Sequence, residues 1–191
     1  IAALYIRRVW EESRTRDTIS IFVNDLEYDR SFGDVENVEL VTRFENYTLP
    51  GGQTVVLDNQ DITPSSVQWG TVFASLGPGL RYMVAPFQVD NDLRFQLLGR
   101  VGYFYNKRTS DTGTDVVLPP DTMIYGAKLR VRYDGMRRNL LELPHKGVAA
   151  GLDLDYMHRD RWSDFGTTGL TNFTKANTQN YLQFSGYAMG V

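Results

Sequence analysis

The chain has 191 residues and a formal net charge of −3, from 20 basic and 23 acidic side chains, with no cysteine and two histidines. This balance excludes the basic excess of a general nucleic-acid binder. It also leaves no material for a disulfide framework, a thiolate metal site or a typical zinc site. Aromatic residues make up 13%, led by 11 Tyr and 10 Phe, and with 17 Gly the mix suits sheets and turns better than helices.

Residues 1–12 fit a strand, although "IAALYIRRVWEES" also tolerates a helical period. Residues 18–29 begin with Ile19, Ile21 and Val23 and then slip phase to Leu26 and Tyr28, which predicts a bulge. Residues 35–48 place Val38, Leu40 and Phe44 on one side and Glu39, Arg43 and Glu45 on the other. In 66–84, Gly77-Pro78-Gly79 predicts a bend or bulge before Leu80, Tyr82 and Val84 resume the alternation.

The clearest strands follow. In 93–105 the odd positions Leu93, Phe95, Leu97, Val101, Tyr103 and Tyr105 are apolar or aromatic, and Arg94, Gln96 and Arg100 lie between them. In 123–134 the intervening positions carry Lys128, Arg130, Arg132 and Asp134. In 148–158 the faces are Val148, Ala150, Leu152, Leu154 and Tyr156 against Asp153 and Asp155. A strand buried on both sides would be apolar throughout, so these strands have two unlike faces. The end of the chain, 179–191, is a further strand.

About eight strands result. "DRSFGD" (29–34) and "PFQVDND" (86–92) are short connections, whereas 50–66, 106–121 and 159–178 are long and polar. Every second connection is long, so the long ones gather at one end of the sheet. "ESRTRD" (12–17) breaks the rule by being short, and 135–146 is longer than a tight turn. No run of 18 or more apolar residues exists, but a membrane barrel strand needs only about 9–11 alternating residues. Short turns at one end and long loops at the other is the layout of an outer-membrane barrel. The expected fold is therefore an all-β, antiparallel up-and-down transmembrane β-barrel, with 1–191 as one domain, whole or part of a larger barrel. Ile1 is not an initiator methionine and no signal peptide is visible, so a processed chain or the ordered part of a longer one is expected.

In that frame Leu93, Phe95, Leu97, Leu129, Val131, Leu152 and Leu154 face lipid. Trp69, Tyr103, Tyr105, Tyr133, Tyr156 and Trp162 are expected in the aromatic girdles. Arg94, Arg100, Lys128, Arg130, Arg132, Asp153 and Asp155 form a charge network facing the interior. Those charges must pair, because isolated buried charges are costly. They either select small anions or ions, or close the interior as a salt-bridged plug. The plug is favoured for a narrow barrel.

No catalytic, metal or cofactor site is expected, and the chain is not read as an enzyme. Asp153 and Asp155 share a face that parity denies to His158, and no G-x-S-x-G, Walker A or H-E-x-x-H motif is present. Asp90, Asn91 and Asp92 with Asp58 match no EF-hand spacing.

The stretch "VRYDGMRRNLLELPHKGVAAGLDLDYMHRDRW" resembles barrel strands of the Omp85 (BamA/TamA-type) surface-antigen family. Tyr133, Asp134, Arg137 or Arg138, Asn139, Pro144, Lys146 and Gly147 carry the resemblance. It implies a role in inserting or translocating other proteins, without catalytic residues. The expectations are then a structural or transport barrel in the bacterial outer membrane, an Omp85-like assembly barrel, or a soluble antiparallel barrel that binds a small ligand. For the first two, the partners expected are the lipid bilayer, lipopolysaccharide and periplasmic or outer-membrane proteins; no nucleic acid is expected.

Overall fold

A computed structural model of the chain describes residues 4–10, 15–32, 35, 37–57, 60–84, 91–114, 116–136, 146–163, 166–167 and 179–191. All regular structure among them is β-strand: β1 (Leu4–Trp10), β2 (Thr15–Phe22), β3 (Asp25–Ser31), β4 (Val38–Leu57), β5 (Gln60–Met83), β6 (Asp92–Arg108), β7 (Val116–Val117), β8 (Thr122–Asp134), β9 (Val148–Arg159), β10 (Gly166–Thr167) and β11 (Asn180–Gly190). Nine of these form one antiparallel sheet in the order β1-β2-β3-β4-β5-β6-β8-β9-β11, which follows the chain with β7 and β10 left out, and β7 pairs with β10 in a small second sheet. No described helix is long and apolar enough to cross a membrane.

The strands expected from the alternation are present, but the ladder has nine rather than about eight. The extra strand comes from 18–29. The phase slip there is a two-residue hairpin turn rather than a bulge: Phe22 pairs with Asp25, leaving Val23 and Asn24 as the turn. This hairpin also moves the exception in the loop pattern, because its own two-residue turn lies at the end of the long connections after β6 and β9. With β2 and β3 counted separately, the short connection after β1 falls at the same end as those after β3 and β5. The expected loop 50–66 is instead paired backbone, because β4 and β5 continue together to Leu57 and Gln60. At Gly77 and Pro78 the strand does not break. Both residues pair with β4, and only the pairing to β6 lapses, with the same register on either side. Proline has no N–H to donate to a second neighbour, which accounts for a one-sided lapse. The first segment is a strand, not a helix.

The sheet is rolled. Arg130 Nη1 on β8 lies 2.6 Å from Glu27 Oε2 on β3, although β4, β5 and β6 intervene. In a flat sheet four strand spacings would separate their backbones by about 19 Å, beyond the combined reach of the two side chains. The two edges come to one cavity, lined by Tyr5 of β1 and by Tyr187 and Met189 of β11. Among the described residues no backbone pairing joins those edges.

Burial divides by face. Glu39, Glu45, Arg81, Asp92, Gln96, Arg100, Lys128 and Asp155 are buried on the concave face. On the convex face Phe44, Leu76, Leu97, Leu182 and Phe184 are 48%, 56%, 55%, 66% and 68% exposed. Apolar side chains share the inside with the charges: Leu98 and Val41 are fully buried, and Phe73, Ile124 and Met157 form a small cluster with Phe104 and Tyr181 against it.

Candidate functional site

The inner face carries an ion-pair network and a second, smaller group of ion pairs around Asp92. β8 and β9 set its first part, since their register places Lys128 opposite Asp155 and Arg130 opposite Asp153. Lys128 Nζ lies 3.2 Å from Asp155 and 3.3 Å from Asp153, and Arg132 holds Asp153 at 2.5 Å. Arg100 on β6 is the hub. One terminal nitrogen reaches Asp155 on β9 at 2.5 Å and the other reaches Glu45 on β4 at 2.7 Å. Its direct cross-strand neighbours are Ser75 and Gly126, so no bulky side chain blocks either path. The Phe73 ring lies under the guanidinium at 4.3 Å. From Glu45 the network continues to Arg43 at 3.4 Å, which also binds Asp25 and lies 3.6 Å from Glu27. Near the other end Arg94 lies 3.0 Å from Asp92 and 3.6 Å from Asp29, and Arg81 also pairs with Asp92.

Glycines make room for these long side chains. Gln96 Nε2 donates to Glu39 Oε1 at 2.9 Å across Gly79, which sits between them in the ladder. A Cβ at Gly79 would lie 2.7 Å from Glu39 Cγ and 2.9 Å from its Oε1. Glu39 is 1% exposed and has little space to yield. Gly79→Ala is therefore expected to cost about 1–3 kcal/mol by overpacking and by disturbing a buried hydrogen bond. Urea unfolding of the purified variant measures it. Gly151 plays the same part under the Tyr187 ring, over which Arg132 sits at 5.6 Å.

All seven charged residues expected on the inner face, Arg94, Arg100, Lys128, Arg130, Arg132, Asp153 and Asp155, lie there; Arg94 belongs to the smaller group around Asp92 and the other six to the larger network. Leu93, Phe95, Leu97, Leu129, Val131, Leu152 and Leu154 lie on the opposite, convex face. Tyr103, Tyr105, Tyr133 and Tyr156 share that face by parity; Tyr105 makes a short hydroxyl contact with Thr48 at 2.5 Å. The remaining two aromatic positions do not. Trp69 shares its parity with Phe73 and Ser75, on the inner side near the end of the charged region. Trp162 follows β9, meets Phe104 edge-on at 5.6 Å and carries Arg159 over its ring at 3.9 Å, so it packs on an inward residue.

The acidic partners Glu27 and Glu45, with Arg43 and Arg81, complete these ion pairs and were not among the candidate site residues; Asp92 was weighed only for calcium. Parity alone gave the signal for Arg43 and Glu45. On the convex face Trp10 and Tyr28 donate to Asp17 at 2.9 Å each, an aromatic pair near the short-connection end that was also missed.

His158 Nδ1 contacts Asn180 Oδ1 at 2.8 Å, away from Asp153 and Asp155. Of the four residues weighed for calcium, Asp58 and Asp90 lie outside the described residues and Asp92 binds arginine. Among the described residues no cluster of His, Cys, Asp or Glu is placed to hold a metal. No protein-family model, curated protein or solved structure matches the chain.

Proposed function

We propose that this chain forms the wall of a bacterial outer-membrane β-barrel with a structural or transport role, its interior closed by ion pairs. The observation that carries it is the inverted burial: charge inside, a continuous apolar surface outside. Soluble monomers rarely expose apolar patches larger than a few hundred Å². A lipid bilayer would remove that cost, and antiparallel strands would keep every central backbone group paired within it. On β8 the convex face reads Tyr125, Ala127, Leu129, Val131, Tyr133, aromatic at both ends. Those eight steps cover about 27 Å of strand, and a tilt near 40° brings the height to about 20 Å, close to the roughly 25 Å apolar band of such barrels. The bilayer and lipopolysaccharide are the partners this surface suits.

Spin labels decide it. A label at Leu97 is expected to be relaxed by a lipid-soluble agent such as oxygen, and a label at Gln96 to be shielded from it. A protein recovered from cells as a soluble monomer without detergent would refute the membrane assignment and favour the ligand-binding soluble barrel. Planar-bilayer recording tests the interior, with no steady current expected from the ion-paired form.

The Omp85-like alternative, insertion or translocation of other proteins, rests on the sequence stretch around Tyr133 and Gly147. Two local features suit its turn: Asp134 Oδ1 accepts from Met136 N at 3.0 Å, and Gly147 has φ of 125°. Arg137, Arg138, Asn139 and Pro144 lie outside the described residues.

A further inference from the structure

We propose that the short-connection end of the inner face binds a phosphate group, gripped by Arg7, Arg16 and Arg81. These arginines converge on an open cleft of about 310 Å³, together with Ser31 and Asn37. The ladder brings them there. Val9 pairs with Arg16 and Arg16 with Ser31, which sets inner positions of β1, β2 and β3 side by side. Arg81 arrives from β5, whose end forms the facing wall.

Arg16 differs from most of the described cations on the inner face. Arg43, Arg94, Arg100, Lys128, Arg130 and Arg132 each have a carboxylate partner. Among the described residues, no carboxylate lies within ion-pairing distance of Arg16. Of the nearby acids, Asp92 is held by Arg81 and Arg94, while Glu39 gives one oxygen to the Gln96 amide and keeps the other buried without a hydrogen-bond partner; neither acid lines the cleft. Guanidinium groups gathered in one cleft repel one another, and an added anion relieves that repulsion. Their planar donor forks match the oxygen pairs of phosphate. A cleft of this size sits at the small end of ligand pockets. Val9 and Met83 on its wall leave an apolar surface beside the cations. The phosphate can thus be free or can belong to a lipid headgroup. The site requires only the inner face of the sheet, so it does not depend on what covers the outer face.

The test uses the purified chain in non-ionic detergent, or in plain buffer if it proves soluble. Inorganic phosphate is titrated by calorimetry at constant ionic strength, balanced with chloride. A parallel arm measures thermal stability in phosphatidylcholine nanodiscs with and without phosphatidic acid. Arg16→Gln is expected to weaken binding about tenfold or more, the loss of a charge-assisted contact. Arg7→Gln, on an exposed edge strand and safer for folding, is expected to act in the same direction. Lys107→Gln, an exposed charge elsewhere, is expected to leave binding unchanged. Binding in the phosphate arm assigns a free phosphate, and a response only to phosphatidic acid assigns a headgroup. Binding in neither arm overturns the site, as does equal competition by chloride or equal loss in Lys107→Gln.

Discussion

Arg100→Met is expected to destabilise the fold by about 3–5 kcal/mol, the cost of stranding buried carboxylates. Among the described residues Arg100 alone joins β4 to β9, through Glu45 and Asp155, and all three side chains are 8% exposed or less. The loss should fall toward the lower end of that range. Asp155 keeps Lys128 at 3.2 Å and Glu45 keeps Arg43 at 3.4 Å. Urea unfolding of the reconstituted protein gives the value. The triple variant Arg100→Met, Glu45→Gln, Asp155→Asn separates a lost attraction from stranded charge. It should regain much of the stability, because neutral groups of similar shape carry no large desolvation penalty. A triple variant as unstable as the single one would mean that Arg100 acts through packing on Phe73 instead.

The second large effect identifies the solvent on the convex face. Leu129→Arg is expected to cost about 2–4 kcal/mol if Leu129 stands near the midplane of a bilayer. Leu129 is 37% exposed, and an arginine there would meet water at almost no cost in a soluble protein. The size of this one penalty thus distinguishes lipid from water at the convex face. Its neighbour behaves differently. Arg130→Leu leaves the outer surface untouched but removes the nearer of the two arginines at Glu27, so its penalty should be relieved by Glu27→Gln. Membrane insertion yield and unfolding midpoints for the four variants settle both points. Equal tolerance of Leu129→Arg and Arg130→Leu would contradict the assigned faces.

The alternation in β6, β8 and β9 was legible because each position there has one solvent and the residues obey it. The face assignment and the pairing of Lys128 with Asp155 follow from that parity and from antiparallel neighbourhood. Other features escaped for identifiable reasons. The turn at Val23-Asn24 contains no glycine or proline, so a hairpin looked like a bulge. Pro50-Gly51-Gly52 looked like a loop, yet the two strands carry their pairing beyond it. Glu27 and Glu45 were hidden because strand alternation predicts contacts with the adjacent strand only. Their partners lie two and four strands away, and that distance is bridged by curvature and by the small residues Ser75 and Gly126. Trp69 and Trp162 were assigned by residue type where register decides the direction.

The pair between Glu27 and Arg130 has a consequence for how the chain reaches this state. Every rung of the main ladder joins strands consecutive in the ladder, so the sheet can be laid down one hairpin at a time with modest loop-closure entropy at each step. The Arg130–Glu27 contact spans 103 residues and cannot form until the sheet has curled. It is therefore a latch, closing after the backbone pairing that brings β3 and β8 round to face each other.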